Sequence, residues 1–170
     1  MTTGNLAREK TVTWPDPAAI ARSAHGAVGL EFLRSMVGGD VEQPPIGHLL
    51  GMRLVEVDHG RAVFTLEPDD SMYNPIGVVH GGIVCTLLDS ALGCALHTTL
   101  PAGKGYTSVE IKVSYLRAVT AASGTLTATG TLVKGGSRVA FSEGVVTDES
   151  GTPVATATST CLVFDVPADG

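Results

Sequence analysis

Gly81-Gly82-Ile83-Val84-Cys85-Thr86-Leu87-Leu88-Asp89-Ser90-Ala91-Leu92-Gly93-Cys94-Ala95-Leu96 is the stretch on which the fold turns. It is too long for an ordinary strand of about 3–10 residues, and no period-two alternation runs through it. Apolar side chains fall on nearly every helical face, the pattern of a helix buried all round. The reading is one long central helix.

Strand signals surround it. On the N-terminal side, Met52–Asp58 alternates Val55 and Val57 with Glu56 and Asp58, and Arg61–Glu67 alternates through Ala62, Phe64 and Leu66. The pair His59-Gly60 between them predicts a hairpin. On the C-terminal side come four runs rich in β-formers: Tyr106–Val119, Gly124–Lys134, Arg138–Asp148 and Pro153–Phe164. Gly135-Gly136 and Ser150-Gly151 mark turns, and the four runs predict an antiparallel meander. Strands grouped around one helix give an α+β domain.

Residues 1–16 are polar and read as mobile or draped over the body. From Pro17 to Val37 the apolar positions suit one amphipathic helix, closed by Gly38-Gly39, with Pro44-Pro45 preventing its resumption. A helical turn is expected at Ile46–Leu50. The division is therefore an N-terminal, partly helical extension (1–44) and a main domain (45–167).

Hydrophobic residues make up 44% of the 170-residue chain and charged residues 16%. Typical domains carry roughly 25% charge, so the deficit hints at association between copies. A net charge of −6 argues against a nucleic-acid partner, which would need a basic face. Cys85, Cys94 and Cys161 are too few and scattered for a disulfide framework or zinc site. The N-terminus has no apolar signal-peptide core and no apolar run is long enough to span a membrane. The expected location is cytoplasmic, with no membrane partner.

Asp89 is the only acidic or basic side chain between His80 and His97. A carboxylate on an apolar helix is costly unless hydrogen-bonded or paired, so it is either a structural cap or ion-pair member, or a catalytic group. Just before the helix runs Asn74-Pro75-Ile76-Gly77-Val78-Val79-His80-Gly81-Gly82. Two glycines at a helix start allow close approach of a ligand. Their N–H groups lack intrahelical partners and have the helix dipole behind them, which suits polarising a carbonyl; the alternative is a tight turn with no ligand. Gly81 and Asp89 lie eight residues apart, so about 12 Å along one axis. A site using both most simply takes them from two antiparallel copies.

The set Asn74, His80-Gly81-Gly82, Thr86-Leu87, Asp89, Ala91 and Gly93 closely resembles the hotdog-fold acyl-CoA thioesterases. The subgroup includes the phenylacetate-pathway and four-hydroxybenzoyl-CoA thioesterases, and the resemblance runs from about Pro45 to Phe164. It implies an antiparallel sheet wrapped around one helix, and a homodimer joined edge to edge that pairs into a homotetramer. It also implies sites at the dimer interface.

The resemblance implies further that Asp89 is nucleophile or general base and that the Gly81 N–H polarises the thioester. His80 matches a loop support, and Asn74 a side chain that orients water or leaving group. Ser108 matches a hydroxyl that positions water, since Gly93 stands where some members place a different helper. The substrate is an acyl- or aryl-CoA thioester, with no cofactor and no metal. Leu88, Leu92 and Tyr73 are offered as acyl-pocket lining.

Lys134-Gly135-Gly136-Ser137-Arg138 frames a glycine turn with two cations. It reads either as an exposed hairpin or as a clamp for CoA phosphates; the resemblance favours the clamp, with Gly82 added to the binding set and Arg117 and Lys112 ranked lower. No Gly-x-Ser-x-Gly elbow supports a serine hydrolase. Two rivals stand: a hotdog enoyl-CoA hydratase, and a non-catalytic acyl-CoA-binding module.

Overall fold

The computed structural model describes residues 7–167; the first six residues of the expected N-terminal extension lie outside this range. Six antiparallel strands form one sheet: β1 (Met52–Asp58), β2 (Arg61–Leu66), β3 (Lys104–Tyr115), β4 (Leu126–Lys134), β5 (Val139–Thr147) and β6 (Pro153–Asp165). Their order is β1-β2-β4-β5-β6-β3. Among the described residues three helices precede β1, namely α1 (Pro17–Ala24), α2 (Gly29–Gly38) and α3 (Pro45–Leu50). The long helix α4 (Gly81–His97) lies between β2 and β3 in the chain. This is the α+β hotdog arrangement expected, with an N-terminal helical extension.

Small residues on the inner sheet face let α4 settle close. A Cβ at Gly130 of β4 would meet the Ala91 carbonyl oxygen at 2.3 Å, and one at Gly144 of β5 would meet Leu92 Cδ2 at 3.0 Å. Leu87, Leu88, Ala91, Leu92, Leu126, Ala128, Val146 and Ala155 close the core with no measurable exposure. Such burial contributes about 1.5–3 kcal/mol for each large aliphatic side chain. The end of α4 is tied to the β1–β2 turn through Thr98, whose Oγ1 accepts the Gly60 N–H at 2.7 Å.

Four expectations need correction. The predicted helix over Pro17–Val37 is two helices. The chain leaves α1 through His25 in extended geometry and Gly26 at φ +73°. It then brings Gly29 against the His97 carbonyl, where a Cβ would sit at 1.9 Å. The Gly29 N–H donates to Leu100 O at 3.0 Å, and α2 buries Phe32, Leu33 and Met36.

The predicted four-strand meander holds only for β4, β5 and β6; β3 crosses to the far edge and pairs with β6. In β1 the expected alternation through Val55 fails at an irregularity between Leu54 and Glu56, so Met52, Leu54 and Val57 face inward and Val55 is exposed.

Lastly, α4 is not buried all round. Gly82 and Asp89 are exposed and Cys85 and Thr86 half-buried, so one stripe of the helix is open in the single chain.

Residues 8 and 10 tie the described chain before α1 to the body: Lys10 Nζ lies 2.7 Å from Asp69 Oδ2, and Arg8 pairs with Asp70. No helix among the described residues is long and apolar enough to cross a membrane.

Candidate active site

Asp89 sits on the open stripe of α4, and the Ser108 hydroxyl of β3 donates to its Oδ1 at 2.9 Å. The bond depends on a bulge. In the β3–β6 ladder Ser108 pairs with Cys161 and Glu110 with Thr160, leaving Val109 as the extra residue. An added residue moves every following side chain to the other face. Tyr106 and Ser108 thus face α4 before the bulge, and Ile111, Val113 and Tyr115 face it after.

Tyr106 packs where α4 carries Gly93. A Cβ there would lie 2.8 Å from both Tyr106 Cε2 and Oη, so the helix needs glycine to accept the ring. His97 meets Tyr106 edge-on at 5.5 Å and stacks on Phe32 at 5.9 Å. Burial shapes the chemistry of this cluster. It pushes the Cys94 thiol up to about 12, with the Asp89 charge adding and a Tyr106 hydrogen bond opposing. It holds the Tyr106 phenol well above its ordinary value and the His97 imidazole below 6.5. At neutral pH these are therefore a thiol, a phenol and a neutral imidazole.

The N-terminus of α4 carries the other candidates. His80 is the N-cap, and its Nδ1 accepts the Gly82 N–H at 2.9 Å. The expectation that both glycine N–H groups are open is corrected here, because the cap occupies that of Gly82. The Gly81 N–H has no hydrogen-bond partner among the described residues. The Tyr115 hydroxyl donates to Gly81 O at 2.9 Å, and its ring fills the space a Gly81 side chain would need. Asn74 folds its Oδ1 back onto the Ile76 and Val78 N–H groups at 3.1 and 3.3 Å. Its amide nitrogen is the end able to meet a ligand.

Two cavities divide these residues. One of about 380 Å³ is lined by Asn74, Gly81, Tyr115 and Arg117. Another of about 370 Å³ is lined by Asp89, Ser108, Cys94, His97 and Tyr106. Within one chain, then, Asp89 and Ser108 come together, Asn74, His80 and Gly81 come together, and the two groups stay apart. Lys134, Gly135, Gly136, Ser137 and Arg138 form an exposed turn that lines neither cavity.

Arg117, ranked below that turn in the sequence, stands beside Gly81 instead. Leu88 and Leu92 are core residues and line neither cavity, nor does Tyr73, whose hydroxyl accepts the Ala121 N–H at 2.8 Å. Sequence reasoning missed Tyr106, Tyr115 and His97 as site neighbours. The available signal was Gly93, since a glycine inside a helix calls for a packing reason.

Residues 76–155 match the family described as the thioesterase superfamily. The chain is similar to a 1,4-dihydroxy-2-naphthoyl-CoA hydrolase of Listeria monocytogenes, 28% identical over 101 residues that cover 59% of this chain and 80% of that one. A phenylacetic acid degradation-related protein of Ralstonia eutropha JMP134 superposes with a TM-score of 0.69 at 29% identity, over 76% of this chain and 98% of that one. The E. coli PaaI protein from the phenylacetic acid degradation operon superposes with a TM-score of 0.70, over 83% of this chain and all of that one. Its 21% identity supports the shared fold alone.

Proposed function

We propose, for a chain that carries a thioesterase-superfamily domain and is a thioester hydrolase, that the reaction is hydrolysis of an acyl- or aryl-CoA thioester to free acid and CoA. The observation carrying this reading is the Asp89–Ser108 pair on an open helix stripe, beside a cavity, with an amide at the start of the same helix that no described residue pairs.

The roles follow from chemistry. Asp89 drives attack on the thioester carbonyl, by itself or by taking a proton from water. Ser108 holds the carboxylate and the water. The Gly81 N–H stabilises the oxyanion, with the helix dipole behind it. His80 fixes the turn by capping α4, and the Asn74 amide nitrogen orients water or the leaving thiolate. With Asp89 as base, the water oxygen forms the new C–O bond, its proton passes to Asp89, and the C–S bond breaks as the thiolate leaves. With Asp89 as nucleophile, the thiolate leaves from an acyl–Asp89 anhydride that water then cleaves to free acid and carboxylate. A thiolate is a good leaving group, so this sparse set suffices without a cofactor beyond the CoA of the substrate.

Two copies make one site in this reading. The two half-sites lie about 12 Å apart along α4, and an antiparallel second copy brings its Gly81 against Asp89 of the first. Two features support pairing. Strand β3 ends the sheet, with Val109 and Tyr115 more than half exposed along it and Leu116 just after it. The open stripe of α4 lies on that same interface in the proposed dimer. A homotetramer follows if two dimers pair. The CoA phosphates lie on the Lys134–Arg138 turn, where both cations are exposed.

Thiol release from a panel of acyl- and aryl-CoAs tests the proposal. Turnover on at least one thioester is expected. Binding without turnover on all of them would favour the acyl-CoA-binding module, and hydration of an enoyl-CoA without thiol release the hydratase.

A further inference from the structure

The cavity beside Asp89 has a wall that the family-matched segment does not supply. Its polar lining is Asp89, Ser90 and Ser108 with Cys94, His97 and Tyr106. Its apolar lining includes Ile20 and Ala24 of α1 and Phe32, Leu33 and Met36 of α2, all outside residues 76–155. We infer that α1 and α2 close an acyl chamber and set the size of the acyl group the enzyme accepts. This rests on the hydrolase reading above and adds the substrate class: a compact, uncharged, apolar acyl group.

The two helices differ in how firmly they hold the wall. α2 is anchored: Phe32, Leu33 and Met36 are under 9% exposed, Phe32 stacks on His97, and the Gly29 N–H is bonded to Leu100 O. α1 contributes only partly buried side chains and has no fully buried residue. α2 is thus the fixed back wall, and α1 the side whose residues vary the depth without disturbing the core. A volume of about 370 Å³ is at the small end of ligand pockets, about 300–1,000 Å³. No Lys or Arg lines it, and Asp89 is its single carboxylate. A dicarboxylic acyl group would bring a second negative charge into an apolar space with no cation to meet it.

The experiment compares full-length wild type, Ala24→Phe, Ile20→Ala and the outward control Ala19→Phe. Thermal melting checks that each is folded. Activity is read as kcat/KM on straight-chain acyl-CoAs from acetyl upward, with phenylacetyl-CoA and succinyl-CoA. Binding is read by calorimetry with S-alkyl-CoA thioethers of the same lengths, which cannot be hydrolysed.

Wild type is expected to gain about three- to fourfold per added methylene until the chamber fills, and to reject succinyl-CoA. Ala24→Phe is expected to lose tenfold or more on the longest accepted chain, with the loss shrinking as the chain shortens. Ile20→Ala shifts the optimum to longer chains, and Ala19→Phe matches wild type. Identical length profiles in all four proteins overturn the chamber and leave hydrolysis standing. Length-dependent thioether binding that Ala24→Phe abolishes, with no thiol release by wild type, supports the chamber and removes the hydrolase reading. Thioether binding by wild type that ignores alkyl length overturns the chamber.

Discussion

Ser108 Oγ donates to Asp89 Oδ1 at 2.9 Å across the gap between β3 and α4. The bulge at Val109 makes this possible, because it lets Ser108 face the helix while Ile111, Val113 and Tyr115 further along the strand also face it. A bond from a neutral hydroxyl to a carboxylate is worth about 1.5–3 kcal/mol, and it fixes which oxygen of Asp89 is free.

Ser108→Ala is therefore expected to lower kcat about tenfold or more with little change in KM, and Ser108→Thr to recover part of the loss. Steady-state kinetics on the preferred thioester checks this. A mutant with wild-type kcat would show that the hydroxyl does not support the carboxylate.

For the nucleotide, Arg138→Ala is expected to raise KM several-fold while kcat holds, the pattern of lost uniform binding. Arg117→Ala serves as the comparison, because Arg117 lines the Gly81 cavity. A KM rise confined to Arg117→Ala would move the CoA phosphates to the start of α4.

Association is tested at the sheet edge. Val109 is 55% exposed on β3, and Val109→Lys places like charges face to face in an edge-to-edge dimer. Sedimentation velocity is expected to show weaker self-association, and activity per chain to fall on dilution. A wild type that is monomeric and fully active at every concentration would contradict the shared site.

His97 gives a pH dependence of stability. Burial holds its pKa in the folded chain below 6.5, so the unfolded chain binds the extra proton first. Between the two values the unfolded state carries more protons, and stability falls as pH drops. The melting temperature is expected to decline as pH falls below about 6.5, and His97→Asn to flatten that decline. The carboxylates held low by their hydrogen-bond partners, Asp69 and Asp148, act in a separate window below 3.8.

Much of the fold was readable from local signals. The long apolar run without period-two alternation pointed to α4, and the turn residues placed the β1–β2 hairpin and the β4–β5–β6 meander. What stayed hidden was non-local. Nothing in Tyr106–Tyr115 shows that β3 crosses to β6, because that pairing is chosen by the whole sheet. The bulge at Val109 looks like ordinary alternation until its partner strand is known. The open stripe of α4 was hidden for a similar reason: Cys85 and Thr86 read as core in a helix rich in Ala, Leu and Cys.

At the site, Asp89 and Gly81 stood out because charge and glycine are conspicuous in that run. Ser108 rested on resemblance, and the structure brings it to Asp89. His80 capping Gly82 was missed because a histidine cap is rarer than Ser, Thr, Asp or Asn. Tyr106 and Tyr115 were missed because their contacts, Gly93 and Gly81, lie on another element.

The central claim is that Asp89 hydrolyses an acyl-CoA thioester, and thiol release by wild type against Asp89→Asn tests it most directly. Asn keeps the size and a carbonyl for Ser108 but removes the nucleophile and base. The account predicts a fall of at least about a hundredfold in kcat, the scale of general acid–base catalysis, with thioester binding retained. Equal turnover by the two proteins would contradict it.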